Sequence, residues 1–421
     1  MDLASKVSNA VNKIKTSLHT KTKTLSDGTT ITYDSRKGEG SSIFNKETSS
    51  WTFDGWEGAT ITGTDGNNNY TIKNSKGMTV NGGDGNDNVT FVDTENSILN
   101  GGNGDDKVTV VRGNRNAVNG GNGNDDIKVV DSQDNIVNGN DGTDNIKTYY
   151  SSNNRVDGGN GNDAISVYKG SHNEVSGGNG DDVIKANYTH SNIIKGDEGN
   201  DNIGGNHASN NVIRGGYGDD MVYVEKGNNN YIAGDAGNDT LDATGDRNII
   251  NGGTGKDSID ILGNNNEAYG SFGDDDINAR GDNNYLSGGW GDDKLYSNGN
   301  SNLIRGGFGD DSIRNIRGDG NYIKGGIGDD SIKSEGDFNS IRGGWGYDNI
   351  SSYGNYNYIN GGGYNYNYNV PSGYSGMFNM MGILHNVFTG GGYHNSMAGR
   401  NFMNMFFMMS MMNSNQYCNW F

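Results

Sequence analysis

Fifteen aspartates recur at one fixed place in a repeated phrase, and carboxylates placed that way suggest cations held in series. They are Asp87, Asp106, Asp125, Asp144, Asp163, Asp182, Asp201, Asp220, Asp239, Asp257, Asp275, Asp293, Asp311, Asp330 and Asp348. Each lies five positions after a glycine, as in "GGNGDDKVTVV" from Gly101 and "GGNGNDDIKVV" from Gly120. That first glycine falls at 82, 101, 120, 139, 158, 177, 196, 215 and 234, then at 252, 270, 288 and 306, and finally at 325, 343 and 361. The step is nineteen residues, then eighteen, and a worn copy begins at Gly63.

What positions these carboxylates is a tandem array, since a fixed period of this length is the mark of stacked repeats. Two residues after each aspartate sits an aliphatic residue such as Val89, Ile127 or Leu241, and another usually lies two before the glycine, as in Val118 and Ile213. Short apolar pieces between Gly, Asn and Asp turns read as strands. The expected fold is all-β: a parallel β-roll or β-solenoid of about 16–17 coils, 18–19 residues each, with a short N-terminal helix and an irregular C-terminal tail. At about 4.8 Å per coil, sixteen steps give a rod roughly 77 Å long. Asparagine stands four positions before the phrase without a break from Asn116 to Asn357, and only Ser97 and Met78 interrupt the file, at its N-terminal end. The distance from asparagine to aspartate is always nine, as in Asn284 to Asp293, so the slack between eighteen and nineteen falls in the other half-coil. An asparagine ladder and separate turn-forming roles both fit that file.

Stacked aspartates would repel by about 0.9 kcal/mol per neighbouring pair even at the dielectric of water. Second acids at Asp105, Asp181, Asp219, Asp274, Asp292, Asp310 and Asp329 add to this. A divalent cation between loops removes the repulsion. Calcium suits best, because it accepts carboxylate and carbonyl oxygens in irregular shells, whereas magnesium keeps its water and an octahedron. The plainer alternative is that Asp and Gly only shape turns.

The phrase G-G-x-G-x-D-x-(aliphatic)-x resembles the nonapeptide of the repeats-in-toxin (RTX) family, the haemolysin-type calcium-binding repeat. Its first six positions are intact in eleven copies, and the second glycine is replaced at Asn140, Asp197, Asp235 and Ser271. The resemblance covers about residues 80–355. It implies a β-roll with multiple calcium ions along the aspartate edge, loop carbonyls as further ligands, and folding after export by a one-step, type I route into calcium-rich surroundings. Family rolls carry the nonapeptide on both edges. Here the second half-coil reads like "RGNRNAV", so no calcium is expected there.

Composition agrees with an ion-dependent chain. Of 421 residues 72 are glycine, only 31% are apolar, and the net charge is −20. Such a chain has little to bury and needs help to fold. The acidic surface disfavours nucleic acid as a partner. One cysteine, Cys418, excludes a disulfide framework. Leu3, Val7, Val11, Ile14 and Leu18 predict an amphipathic helix, and residues 1–25 hold no continuous apolar stretch, so export without an N-terminal signal peptide and no transmembrane segment are expected. The expected organisation is a basic helix and linker over 1–37, capping coils over 38–79, the calcium-binding roll over 80–363, and a Met/Tyr/Asn/Gly-rich tail over 364–421 serving as cap, secretion signal or assembly segment. From residue 350 onward the only charged side chain is Arg400, and ten of thirteen methionines lie between Met377 and Met412.

The variable position of G-G-x-G changes character along the array. It is Asp84, Asn103, Asn122, Asp141, Asn160, Asn179 and Glu198 early, then Phe272, Trp290, Phe308, Ile327 and Trp345 in five successive coils. An exposed apolar file meets something: the chain's own tail, a neighbouring molecule or a glycan. No catalytic residue is assignable, since His172, His190 and His207 occupy unrelated contexts and no coil is long enough to wall a cleft. The outward positions Thr90, Thr109, Lys128, Lys147, Ser166 and Lys185 lack the regularity ice binding wants. The function expected is a non-enzymatic, extracellular or cell-surface calcium-binding protein, structural in a surface layer, matrix or filament; the alternative is an adhesion module for glycans or cell surfaces.

Overall fold

The computed structural model describes residues 19–37 and 39–362, together with the strand Asn367–Asn369. The expected N-terminal helix and nearly all of the tail lie outside the described residues. Within them the chain is a parallel β-solenoid. Each coil gives one strand to each of two facing sheets, for example Ala117–Asn122 and Asp126–Val130. Every strand then pairs in parallel with its equivalent one period away, Ala117 with Ile136 and Asp126 with Asn145. The repeat length is therefore the register itself.

Side chains alternate along a strand, so one parity fills the interior. On one sheet the inward set is Asn116, Val118 and Gly120; on the other it is Asp125, Ile127 and Val129, all buried. Each coil thus buries two or three aliphatic groups between two polar corners. The core thins toward the C-terminal end: the column of Val110, Val129 and Val167 becomes Ser297, Asn315, Ser334 and Ser352. Hydroxyl and amide groups there bond one another, as Asn302 Nδ2 does to Ser297 Oγ at 3.0 Å.

The first end is plugged differently. Strands β1 (Thr20–Thr24) and β2 (Thr30–Asp34) form an antiparallel hairpin, as do β3 (Ser41–Asn45) and β4 (Ser50–Asp54). β2 then runs antiparallel to β5 (Thr60–Thr62), while β4 starts the parallel ladder on the other sheet. Residues 20–34, read from sequence as linker, thus close the sheet edge, which would otherwise offer unpaired backbone groups. Trp51, Phe53, Trp56 and Tyr70 fill the space behind, and Trp51 Nε1 donates to Asp27 at 2.7 Å.

The extra residue of the long coils is absorbed at the asparagine corner. A nineteen-residue coil turns there with Asp131 and Asp134 both in the left-handed region, whereas an eighteen-residue coil uses Gly281 and Asn283.

Candidate metal centre

All fifteen aspartates lie in one file, inside the corner rather than on its rim, each only 1–2% exposed. Oδ1 of every one accepts the backbone N–H of its predecessor. The chain of bonds begins with Asn68 N to Asp87 at 2.6 Å, continues with Asp87 N to Asp106 at 2.7 Å, and ends with Asp330 N to Asp348 at 3.1 Å. Asn68, in the worn first loop, replaces the carboxylate there and is held by Tyr70 Oη at 2.7 Å. The other oxygen, Oδ2, is buried in all fifteen residues with no hydrogen-bond partner.

Oδ2 sits over the first glycine of its own phrase. A Cβ on Gly196 would overlap Asp201 Oδ2 and also the carbonyl oxygen of Gly215 in the following coil. Glycine is therefore required by the carboxylate it faces and by the carbonyl of the next coil. At the second position the φ of Gly102 is +131°, whereas the replacements Asn140, Asp197, Asp235 and Ser271 sit at +76° to +86°.

Burial pushes these carboxyls up, Asp106 and Asp163 to about 6, Asp125 and Asp220 to about 7 and Asp311 to about 8, with neighbouring aspartates adding to the rise. Transfer out of water disfavours the charged form, and no cationic side chain compensates within the file.

The second acids stand outside it. Asp105, Asp181, Asp219, Asp274, Asp292, Asp310 and Asp329 are exposed, and each accepts the N–H of the equivalent residue one coil on, as Asp292 does from Asp310 at 2.7 Å. These bonds run opposite in direction to those of the buried file.

The facing corner holds the asparagines, buried and laddered in the same sense. Asn116 N donates to Asn135 Oδ1 at 2.9 Å, and Asn339 N to Asn357 Oδ1 at 2.8 Å. Ser97, an interruption in sequence, keeps the ladder with its hydroxyl, which accepts from Met78 N at 3.0 Å. The amide has a use for its second atom: Nδ2 of Asn116 donates to Thr94 O and that of Asn284 to Gly263 O. Asn339 is the exception, its Nδ2 left without a partner. The ladder reading of this file is the one observed.

For a metal ion the donor set of the aspartate corner is one spare carboxylate oxygen per coil plus main-chain carbonyls, an all-oxygen set that suits a hard cation. Among the described residues no three His, Cys, Asp or Glu side chains converge, so a carboxylate cage is not the arrangement. The inward aim of the aspartates was readable from sequence: Asp125 has the parity of Ile127 and Val129. Spacing puts the aspartates in one file but does not encode the direction of their ladder bonds.

Elsewhere, a shallow trough of about 960 Å³ crosses one sheet near Asp157, Lys195, Asp197 and Arg214. Its charges are largely paired, Arg214 with Asp235 at 3.0 Å and Lys195 with Glu174 at 3.3 Å. The rings of His172 and His190 are 6.2 Å apart on the exposed asparagine corner, and His207 stacks on Tyr188. The file Phe272, Trp290, Phe308, Ile327 and Trp345 is exposed along one edge, register-matched from coil to coil.

No protein-family model matches this chain, and neither a curated protein nor a solved structure does.

Proposed function

We propose that this chain is a non-enzymatic structural rod whose aspartate edge takes up calcium, and that the ions drive its folding once it is outside the cell. The observation that carries this reading is the set of buried, unpartnered Oδ2 atoms. Leaving a buried polar atom unsatisfied costs about 1–3 kcal/mol, and more when it is charged. One such atom in each of fifteen coils, where a coil buries only two or three aliphatic groups, weighs heavily against a fold with so little to bury. A bound cation supplies the missing partner and cancels the repulsion along the file.

In this reading the spare Oδ2 of each aspartate holds the ion and main-chain carbonyls of the glycine turns complete its shell. The first glycine leaves room for the carboxylate, and the backbone N–H bonded to Oδ1 fixes its orientation. Uniform coils without insertions favour a structural role in a surface layer, matrix or filament. Millimolar calcium outside cells favours work there.

The test is calcium titration of the chelator-treated protein, followed by circular dichroism with bound calcium counted in parallel. β-structure should appear as calcium rises, with many ions bound per chain. A full β-spectrum in chelator, or no calcium retained by the folded rod, would remove the metal from this account.

A further inference from the structure

We propose that the methionine-rich segment at 377–412, whose only charged side chain is Arg400, lies along the chain's own aromatic file from Phe272 to Trp345. The inference stands apart from the calcium reading.

The file is not demanded by the loop that carries it. At the same position in the first half of the rod the side chains are polar and bond one another, Asn122 Nδ2 to Asn103 at 2.7 Å and Asn179 Nδ2 to Asn160 at 2.7 Å. The position folds equally well with an amide, so five apolar residues in a row answer to something outside the coil. Trp345, at the C-terminal end, is 80% exposed.

Ring geometry selects the occupant. Phe272 and Trp290 are stacked with centroids 6.3 Å apart and planes 23° apart; Trp290 and Phe308 are stacked at 4.4 Å and 18°. Rings stacked along the axis spend their faces on each other and turn their edges outward. A sugar ring needs an open aromatic face, and those between Phe272, Trp290 and Phe308 are taken up by stacking. A thioether does not: sulfur packs well at ring edges, and methionine adapts to an irregular surface. Residues 370–421 hold ten methionines and a single charge, Arg400. They lie outside the described residues.

Position and reach also fit. The last described strand, Asn367–Asn369, pairs with Asn349–Ser351, in the strand of the facing sheet that follows the loop after Trp345. The chain therefore leaves the described residues one coil beyond Trp345, on the facing sheet, and residues 370–376 precede the methionine-rich segment. From Trp345 to Phe272 is four coil steps, roughly 19 Å, which about six extended residues span. Occupation by the same chain needs no encounter with a second molecule.

The test compares the full calcium-loaded chain with two variants: one ending at residue 369, and one carrying Trp290→Ser, Phe308→Ser and Trp345→Ser. A Trp420→Phe background removes the tail's own indole. At dilute, monomeric concentration, acrylamide quenching of Trp290 and Trp345 should rise severalfold on truncation. Peroxide should oxidise Met403–Met412 severalfold faster in the triple-serine chain than in its parent, read by mass spectrometry. Circular dichroism checks that both variants keep the rod, which these exposed positions should not disturb. Equal quenching and equal oxidation would overturn the proposal. Protection that appears only as sedimentation shows dimers would overturn it too, giving the file to a second copy.

Discussion

The two edges of this rod use the same device and differ by one atom type. Asn284 and Asp293 are nine residues apart in one coil, both buried, and the Oδ1 of each accepts a backbone N–H from the preceding coil. Asn284 then spends its second polar atom on Gly263 O, while Asp293 has nothing for Oδ2. One edge is closed by the protein alone. The other is closed only when something is added, a proton or a cation. A ladder of buried side chains can thus be self-sufficient or ligand-dependent with almost no change of backbone, and the choice lies in –NH₂ against –O⁻.

The comparison is broken most forcefully by pH, because the buried file of one edge is ionisable and the buried file of the other is not. Its carboxyls are raised by burial, to values between about 6 and about 8 for Asp106, Asp125, Asp220 and Asp311. A raised acid holds protons in the folded chain that the unfolded chain has already lost. Stability without metal is therefore greatest below about pH 4, and falls as pH rises through the folded values toward about 8. Calcium needs the deprotonated ligand, so its stabilising effect grows over the same interval. Melting scans in chelator and in calcium should slope in opposite directions between about pH 5 and about pH 8. Parallel slopes would mean that protons and calcium do not compete for this edge.

Swapping the atoms comes next. Asn284→Asp puts a carboxylate where Gly263 O expects a donor, and should cost about 3 kcal/mol at neutral pH, measured by denaturant unfolding in calcium. The mirror change, Asp293→Asn, should have a sign that depends on the solution. In chelator it removes a buried charge and should stabilise by about 1 kcal/mol; in calcium it removes a ligand and should destabilise by about 2 kcal/mol. If Asp293→Asn behaves alike in both, the edge is a hydrogen-bonding ladder and no more.

Much of this was legible in the chain. The period fixed the coil, the constant nine residues from asparagine to aspartate placed the two files, and the slack between eighteen and nineteen located the corner where Asp131, Asp134 and Gly281 now turn. The inward aim of Asp125 was also written there, in its parity with Ile127, but an acidic residue beside glycine turns suggests solvent first. The N-terminal hairpin was harder to see. "TKTKT" shows no apolar face, and it is held by pairing to Thr30–Asp34 across a turn containing Asp27 and Gly28. The opposed directions of the buried and exposed ladders depend on which neighbour each side chain leans toward, which spacing does not encode.

The smallest effect asks how much the second amide atom matters, and the asparagine edge supplies its own control. Asn339 keeps the ladder bond from Asn321 N at 2.8 Å yet has an unpartnered Nδ2, whereas Asn284 satisfies both ends. Ser97 shows that a hydroxyl sustains the ladder by itself. Asn284→Ser and Asn339→Ser should both preserve the backbone contact and leave similar gaps, but only the first gives up an Nδ2 bond. Asn284→Ser should therefore cost about 1 kcal/mol more, visible as an earlier urea midpoint in calcium. Equal midpoints would mean that Oδ1 alone closes the asparagine edge. The orphaned Oδ2 across the coil would then matter through its charge rather than through an unmet hydrogen bond.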